Sequence, residues 1–554
     1  MVSDVDIHPI LGESQNNSGS VAFGGPQGYA STYRNVQVTD PRGISLYQND
    51  FLLASKDRTL ADFAVGTNAL SCTIDGAKRD RALFAGHLFV MGRSICHSTA
   101  NLNALLGSIT LLTSHQTTEG YLGNLCPIQA PTHEESIEPP TYAFYSLSYA
   151  LLLVVAIKDY WMHSGDDVSV RSIWHKLEKL LGFVEKFTDQ RGLVVAPPPL
   201  SMDWIPMGVP IFGASGKINI AYYDALTSMA RMSRVHGSKD PFSPRAASLK
   251  QSILTHLWNH TEGIMRTSDT ASPNGICQDI NAYAITTGLS PIHAASKTIL
   301  AAPKGKELPL AFQSLASWDD NKVVSPYASG FAAEALFERE HGHSAIELIE
   351  RVWGAMADET NPNYSGGHWE ALNTDGSPFT KDTSLMHGWS TWPVYLLPRY
   401  LAGVAPLEPG WTRWKVQPVL AGLDSVDVAL STPVGRIEVS MDMQESLGLG
   451  CVVLKVPSGS VAEVVAPRGW SIRRADDNSQ GLFASQVVAG QDGIVTIRMQ
   501  KTSEEVKNMT AKVAKVGVSS TRASAAAQRK APASGWFRWL RQFSILRLLP
   551  KWLS

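Results

Sequence analysis

Between about residues 46 and 405 the apolar positions recur at three- and four-residue spacing, with Gly, Pro, Ser and Asn between the runs. This pattern predicts amphipathic helices, clearest over 169–187, 219–236, 244–256 and 330–339. The helix pairs recur at intervals of roughly forty to sixty residues, a spacing that suits a toroid of helical hairpins and also tandem helical repeats. No repeated motif supports a solenoid. The longest apolar run, 150–157, is too short to span a bilayer and reads as a buried helix.

The period changes near Pro406. Short, alternating, β-branched runs follow at 414–416, 426–430, 436–440, 451–456 and 493–497, parted by Gly, Pro and Asp turns. They predict a small antiparallel β-sandwich. Before the helices, residues 1–45 read as a Gly- and Ser-rich tail or a remnant strand pair. After the strands, 501–535 reads as a linker with few large apolar groups. The final stretch, 536–554, combines Trp536, Phe537, Trp539 and Phe543 with Arg538, Arg541 and Arg547. A basic, aromatic helix of that kind suits peripheral contact with a membrane surface or a protein, or docking on the chain's own fold. The expected division is therefore tail 1–45, helical domain 46–405, sandwich 406–500, linker 501–535 and terminal helix 536–554.

Composition narrows the function. At 554 residues the chain is too long for one ordinary core. A formal net charge of -2 provides no general attraction for nucleic acid. The five cysteines are scattered without a CxxC pair, and nothing calls for a metal or cofactor. No basic-then-apolar leader opens the sequence, which favours a cytoplasmic protein. The 15 tryptophans stand out, because several adjoin carboxylates or glycines: Asp203-Trp204, Trp369-Glu370 and Gly388-Trp389. A sugar offers C–H faces to aromatic rings and hydroxyl edges to acids, so such pairs suit a saccharide site.

Three stretches carry candidate chemistry. In Asp75-Gly-Ala-Lys-Arg-Asp80-Arg, an acid stands between two arginines. Arginines alone lower a carboxyl pKa, so a general acid there needs burial or a second carboxylate, for which Asp75 is a candidate. The second stretch is Ser365-Gly-Gly-His-Trp369-Glu370, and the third is Ser384-Leu-Met-His387-Gly-Trp389-Ser. Taken singly, each also fits a solvated turn, a common glycine loop or a structural histidine.

Together with Asp203-Trp204, Ser325-Pro-Tyr327 and Trp353-Gly354, these stretches resemble the α-L-rhamnosidases of glycoside hydrolase family 78, particularly fungal six-hairpin members. The order and rough spacing agree over about residues 45 to 500. The resemblance implies a mainly α chain, an (α/α)6 six-hairpin toroid followed by the antiparallel β-sandwich. It implies an inverting exo-glycosidase acting on a small glycoside or oligosaccharide, with Asp80 as general acid and Glu370 as general base. It places Asp75 and His387 on rhamnose hydroxyls and Trp204, after Asp203, on a sugar face. Arg79, Phe84, His87, Trp369 and Trp389 are further candidates for substrate contact. Two departures stand out. Phe84 replaces the family's tryptophan, and His87 replaces a carboxylate, removing a charged acceptor. They leave open a different glycoside or a uronide as substrate, or a non-catalytic sugar-binding or scaffold role.

Overall fold

The computed structural model describes residues 32–502, except 64, 69, 77, 79, 123, 130–145, 206–210, 238–239, 271–274, 291–307, 315–322, 474–481 and 491–492. Arg79, most of the expected linker and the terminal stretch 536–554 lie outside the described residues.

The helices alternate between two kinds. Leu147–Ser164 and Pro326–Glu338 are buried on nearly every face. Asp167–Glu185 and Gly342–Ala357 bury one stripe each, Val170, Trp174, Leu177, Leu181 and Val184 in the first case. An all-apolar helix belongs inside a layer and a striped one outside it. The inner set closes into a ring. Ala85–Cys96 packs on Leu147–Ser164, which packs on Gly216–His236, then Gln278–Thr286, Pro326–Glu338, Trp392–Leu396 and back to Ala85–Cys96. Six inner helices closing on themselves define a toroid and exclude an open solenoid.

Side-chain caps fix where several inner helices begin. Ser146 accepts from the Tyr149 N–H, Ser215 from Ile218 and Ser325 from Ala328, satisfying amides that a helix start leaves unpaired. Gly330 lies where two inner helices touch. An ideal Cβ there would stand 2.0 Å from Trp392 Cδ1. Gly330→Ala is therefore expected to destabilise the chain by about 1–3 kcal/mol or more through overpacking, read as a lower urea midpoint. An unchanged midpoint would show that Trp392 can move aside.

The predicted helices are present, each starting two to four residues earlier than expected, and two of them ending one or two residues earlier, at Glu185 and Glu338. The 244–256 run is Phe242–His256, with Pro244 tolerated in its first turn. The remnant strand pair exists as Val36–Thr39 against Ser45–Asn49, so it crosses the tail boundary placed at 45.

The C-terminal domain is two sheets over a separate core that includes Trp414, Ile437, Val452, Leu454 and Ile472. The six-stranded sheet is antiparallel throughout. The four-stranded sheet corrects the expectation in one place: Arg413–Val416 runs parallel to Val461–Val465. Parallel pairing needs a crossover, and the intervening strands of the other sheet supply it. All five cysteines are unpaired. Among the described residues no helix is long and apolar enough to cross a membrane.

Candidate active site

Residues near the N-terminal ends of the inner helices converge on one region. His87 and Tyr149 are the third residues of their helices, and Lys217, Asp279 and Tyr327 the second. Two loops lie alongside this rim. The acidic loop 75–82 precedes the first inner helix, and the loop 366–388 precedes the last.

The acidic loop folds back on itself. The Asp75 N–H donates to Ala82 O at 3.1 Å, and Asp75 Oδ1 accepts from the Ala82 N–H at 3.1 Å. The bend between them uses two successive left-handed residues, Asp80 (φ 59°) and Arg81 (φ 50°). Each costs of order 1 kcal/mol or more, a strain that tends to collect at functional sites. Asp75 ends up buried, whereas Asp80 and Arg81 are exposed.

The second loop seats against the first. Gly76 bridges His387, the Gly388 N–H donates to Asp75 O at 2.7 Å, and Lys78 Nζ donates to Lys381 O at 2.6 Å. Gly76 suits this approach, because a Cβ would lie 3.1 Å from Met386 O and from Ser384 Oγ, a tight contact that one of them would have to relieve. Within the second loop the Glu370 carboxylate accepts the Ser384 N–H at 2.9 Å, and Trp389 Nε1 donates to Glu370 O at 2.9 Å. Glu370 is half-buried. His387 Nε2 stands 3.9 Å from Asp75 Oδ2. Sequence-distant candidates thus meet: Asp75 with His387, and the Asp80 loop with the Glu370 loop.

Aromatic rings form a continuous, mostly buried cluster beside them. His87 stacks on Trp389 with ring centroids 5.1 Å apart, and touches Phe84 at 4.7 Å and His387 at 5.0 Å. Trp204 stands edge-on to Trp389 at 5.6 Å and also meets Tyr149 at 5.8 Å. Burial holds the His87 imidazole well below its usual pKa, with His387 adding to the effect, so His87 is neutral near pH 7. Trp369 differs from the other aromatic candidates. Its side chain is fully buried in the helical core and, among the described residues, it stacks on none of these rings.

Behind the rings lies a buried charge cluster. Lys217 Nζ pairs with Asp279, both fully inaccessible, and stands 5.0 Å from the Tyr327 ring and 4.9 Å from that of Phe331. Asp203 is buried, takes a hydrogen bond from Ser148 Oγ and accepts the Trp204 N–H at 2.7 Å. Burial raises its pKa, and Lys217 opposes that rise. Tyr149, Lys217 and Asp279 were not among the sequence candidates. Their shared feature is a place at a helix start or loop edge, not a motif. The one available signal was a charged residue set within an apolar run, as in Gly216-Lys217-Ile218 and Cys277-Gln278-Asp279-Ile280.

Burial pushes the Asp75 carboxyl up to about 6, and Asp80 adds to the rise, against the backbone N–H of Ala82. A raised folded pKa favours the protonated form. Its stabilising contribution is complete below the unfolded value of 3.8 and is lost as pH rises through about 6. Asp75→Asn removes that titration. Wild type is expected to lose up to ~3 kcal/mol more stability than the variant between pH 4 and 7.5, read as the difference of their Tm profiles. Parallel profiles would contradict the assignment.

Two family models match the chain. That of the bacterial α-L-rhamnosidase six-hairpin glycosidase domain covers residues 59–303, and that of the bacterial α-L-rhamnosidase C-terminal domain covers 403–479. Together they span more than half of the chain, and it belongs to the α-L-rhamnosidase-like six-hairpin glycosidases. Solved structures share the fold. The α-L-rhamnosidase from Dictyoglumus thermophilum aligns with TM-score 0.58 at 15% identity, over 81% of this chain and 49% of its own. The Streptomyces avermitilis α-L-rhamnosidase, solved with L-rhamnose, aligns with TM-score 0.58 at 16% identity, over 81% and 41%. The family 78 rhamnosidase of Bacillus sp. GL1 aligns with TM-score 0.54 at 18% identity, over 66% and 37%. The chain thus spans half or less of the length of each. No curated protein matches the sequence. The family models are of bacterial proteins, so the fungal shade of the resemblance is not distinguished.

Proposed function

We propose that the chain is an inverting exo-glycosidase that hydrolyses a terminal α-L-rhamnoside or a related deoxysugar glycoside. Asp80 acts as general acid and Glu370 as general base. The observation that carries this reading is the edge-to-edge seating of their two loops beside the aromatic cluster. Neither acid lies in the fixed inner ring, so both stand on loops held by a rigid scaffold, as catalytic groups often do.

The Asp80 carboxyl donates its proton to the departing glycosidic oxygen. Glu370 accepts a proton from water, whose oxygen attacks the anomeric carbon from the opposite face. Inversion requires the two carboxyl groups to stand roughly 6.5–9.5 Å apart, with water between them. The Ser384 N–H bond at Oε2 orients Glu370. Asp75 and His387 are placed to hold sugar hydroxyls, and Trp204 offers the sugar an apolar face. Trp369 is buried in the core, away from substrate.

A second reading keeps the mechanism and changes the sugar. His87 is neutral, stacked on Trp389 and tilted against Phe84, where the resemblance places a carboxylate. A site lacking that charged acceptor binds a rhamnose hydroxyl less strongly. A panel of p-nitrophenyl glycosides decides between the two. The leading reading predicts α-L-rhamnoside as the best substrate. Faster cleavage of another glycoside, with the same dependence on both acids, would establish the second.

A further inference from the structure

A polar cavity of about 620 Å³ lies between the helical toroid and the β-domain, lined by residues 337–343, 399–400, 415–422 and 466–470 among others. It shares no residue with the loops of the candidate active site. Four of its lining residues are Lys or Arg and three are Glu, so its wall carries one excess positive charge. The pairs show where that excess sits. Arg468 bonds Glu340 at 3.0 Å and Lys501 approaches Glu445 at 3.8 Å. The third acid, Glu338, accepts the Tyr400 hydroxyl at 2.6 Å. Among the described residues no carboxylate lies within 4.0 Å of Arg399 or Lys415. Lys415 Nζ donates only to Gln417 Oε1, at 2.9 Å, and Arg399 leans on the Tyr400 ring at 4.9 Å.

We propose that this interdomain cavity is a second ligand site, binding a small oxyanion, a carboxylate or a phosphate, on Arg399 and Lys415. Two half-buried cations facing one cavity repel each other, and an anion between them removes that cost. The guanidinium supplies a planar fork suited to an oxyanion and the ammonium a point charge. Burial lowers the Lys415 pKa and Arg399 lowers it further, against Glu338 and Glu463, so the two cations stand in each other's field with Glu338 offsetting part of their repulsion. Ligand sites recur at domain boundaries. Here the anion would bridge Arg399 of the toroid to Lys415 of the β-domain strand Arg413–Val416.

The test is isothermal titration of the full chain with inorganic phosphate and, separately, with D-galacturonate, at constant ionic strength. At least one is expected to bind saturably at one site, and which one does so separates an inorganic anion from an acidic sugar. Affinity is expected to fall at least about tenfold in Lys415→Gln and to be retained in Lys415→Arg, with Arg399→Gln as a second loss variant. No saturable binding by either anion overturns the proposal. So does equal affinity in Lys415→Gln, or equal weakening in Lys415→Gln and Lys415→Arg. The readout is binding, so it is independent of hydrolysis at the other site.

Discussion

Asp80→Asn and Glu370→Gln are each expected to lower kcat on an aryl α-L-rhamnoside by about 10²–10⁴-fold, with thermal stability near that of the wild type. The two losses should differ in kind. A general acid matters in proportion to the basicity of the leaving oxygen. For Asp80→Asn, a dinitrophenyl rhamnoside should therefore recover much of the lost rate, because that leaving group departs without a proton. For Glu370→Gln it should recover little, because water still lacks a base. Asp80 is exposed at the bend of its loop, so its substitution leaves the core untouched. Equal recovery in both variants would contradict the division of roles, and wild-type turnover in either would remove that residue from the mechanism.

The largest stability effect is expected at Lys217. Its ammonium is wholly inaccessible and pairs with an equally inaccessible Asp279, beside buried Asp203. Lys217→Met leaves the Asp279 carboxylate buried without its cation, which costs about 3–5 kcal/mol. That is a large part of a typical stability of about 5–15 kcal/mol. Asp203 loses the same cation, so its carboxyl shifts further up. The double variant Lys217→Met, Asp279→Leu removes both charges and should regain most of the loss. Urea unfolding of the three proteins decides the matter. A double variant as unstable as the single one would mean that packing on Tyr327 and Phe331, not charge, explains the loss.

The fold was legible where periodicity carries the information. The apolar run at 150–157 became part of a largely buried inner helix, because nothing polar interrupts the run. The 169–187 stripe became an outer helix for the opposite reason. Closure into a ring was not legible from the pattern, since helix periods do not state which helix follows which in space. The family resemblance supplied that expectation, and the six inner-helix contacts show it. The parallel pairing of Arg413–Val416 with Val461–Val465 was likewise invisible, because alternation reports a strand's faces and not its partner's direction.

The candidate site divides along similar lines. Asp75, His387, Trp204 and Trp389 were picked from motifs, and they meet or share ring neighbours in space. Trp369 came from the same reasoning and proved to be core, since adjacency to an acid does not state which way a side chain turns. Lys217, Asp279 and Tyr149 were missed because each belongs to a different helix. What unites them is a position two or three residues into an inner helix, a relation created by the toroid itself.

The central claim is hydrolysis with inversion at an α-L-rhamnoside, and a proton NMR time course of p-nitrophenyl α-L-rhamnoside with the full chain tests it most directly. The account predicts that the first sugar released is β-L-rhamnose, which then mutarotates to the equilibrium mixture. Release of α-L-rhamnose first, or no release of rhamnose at all, would contradict it.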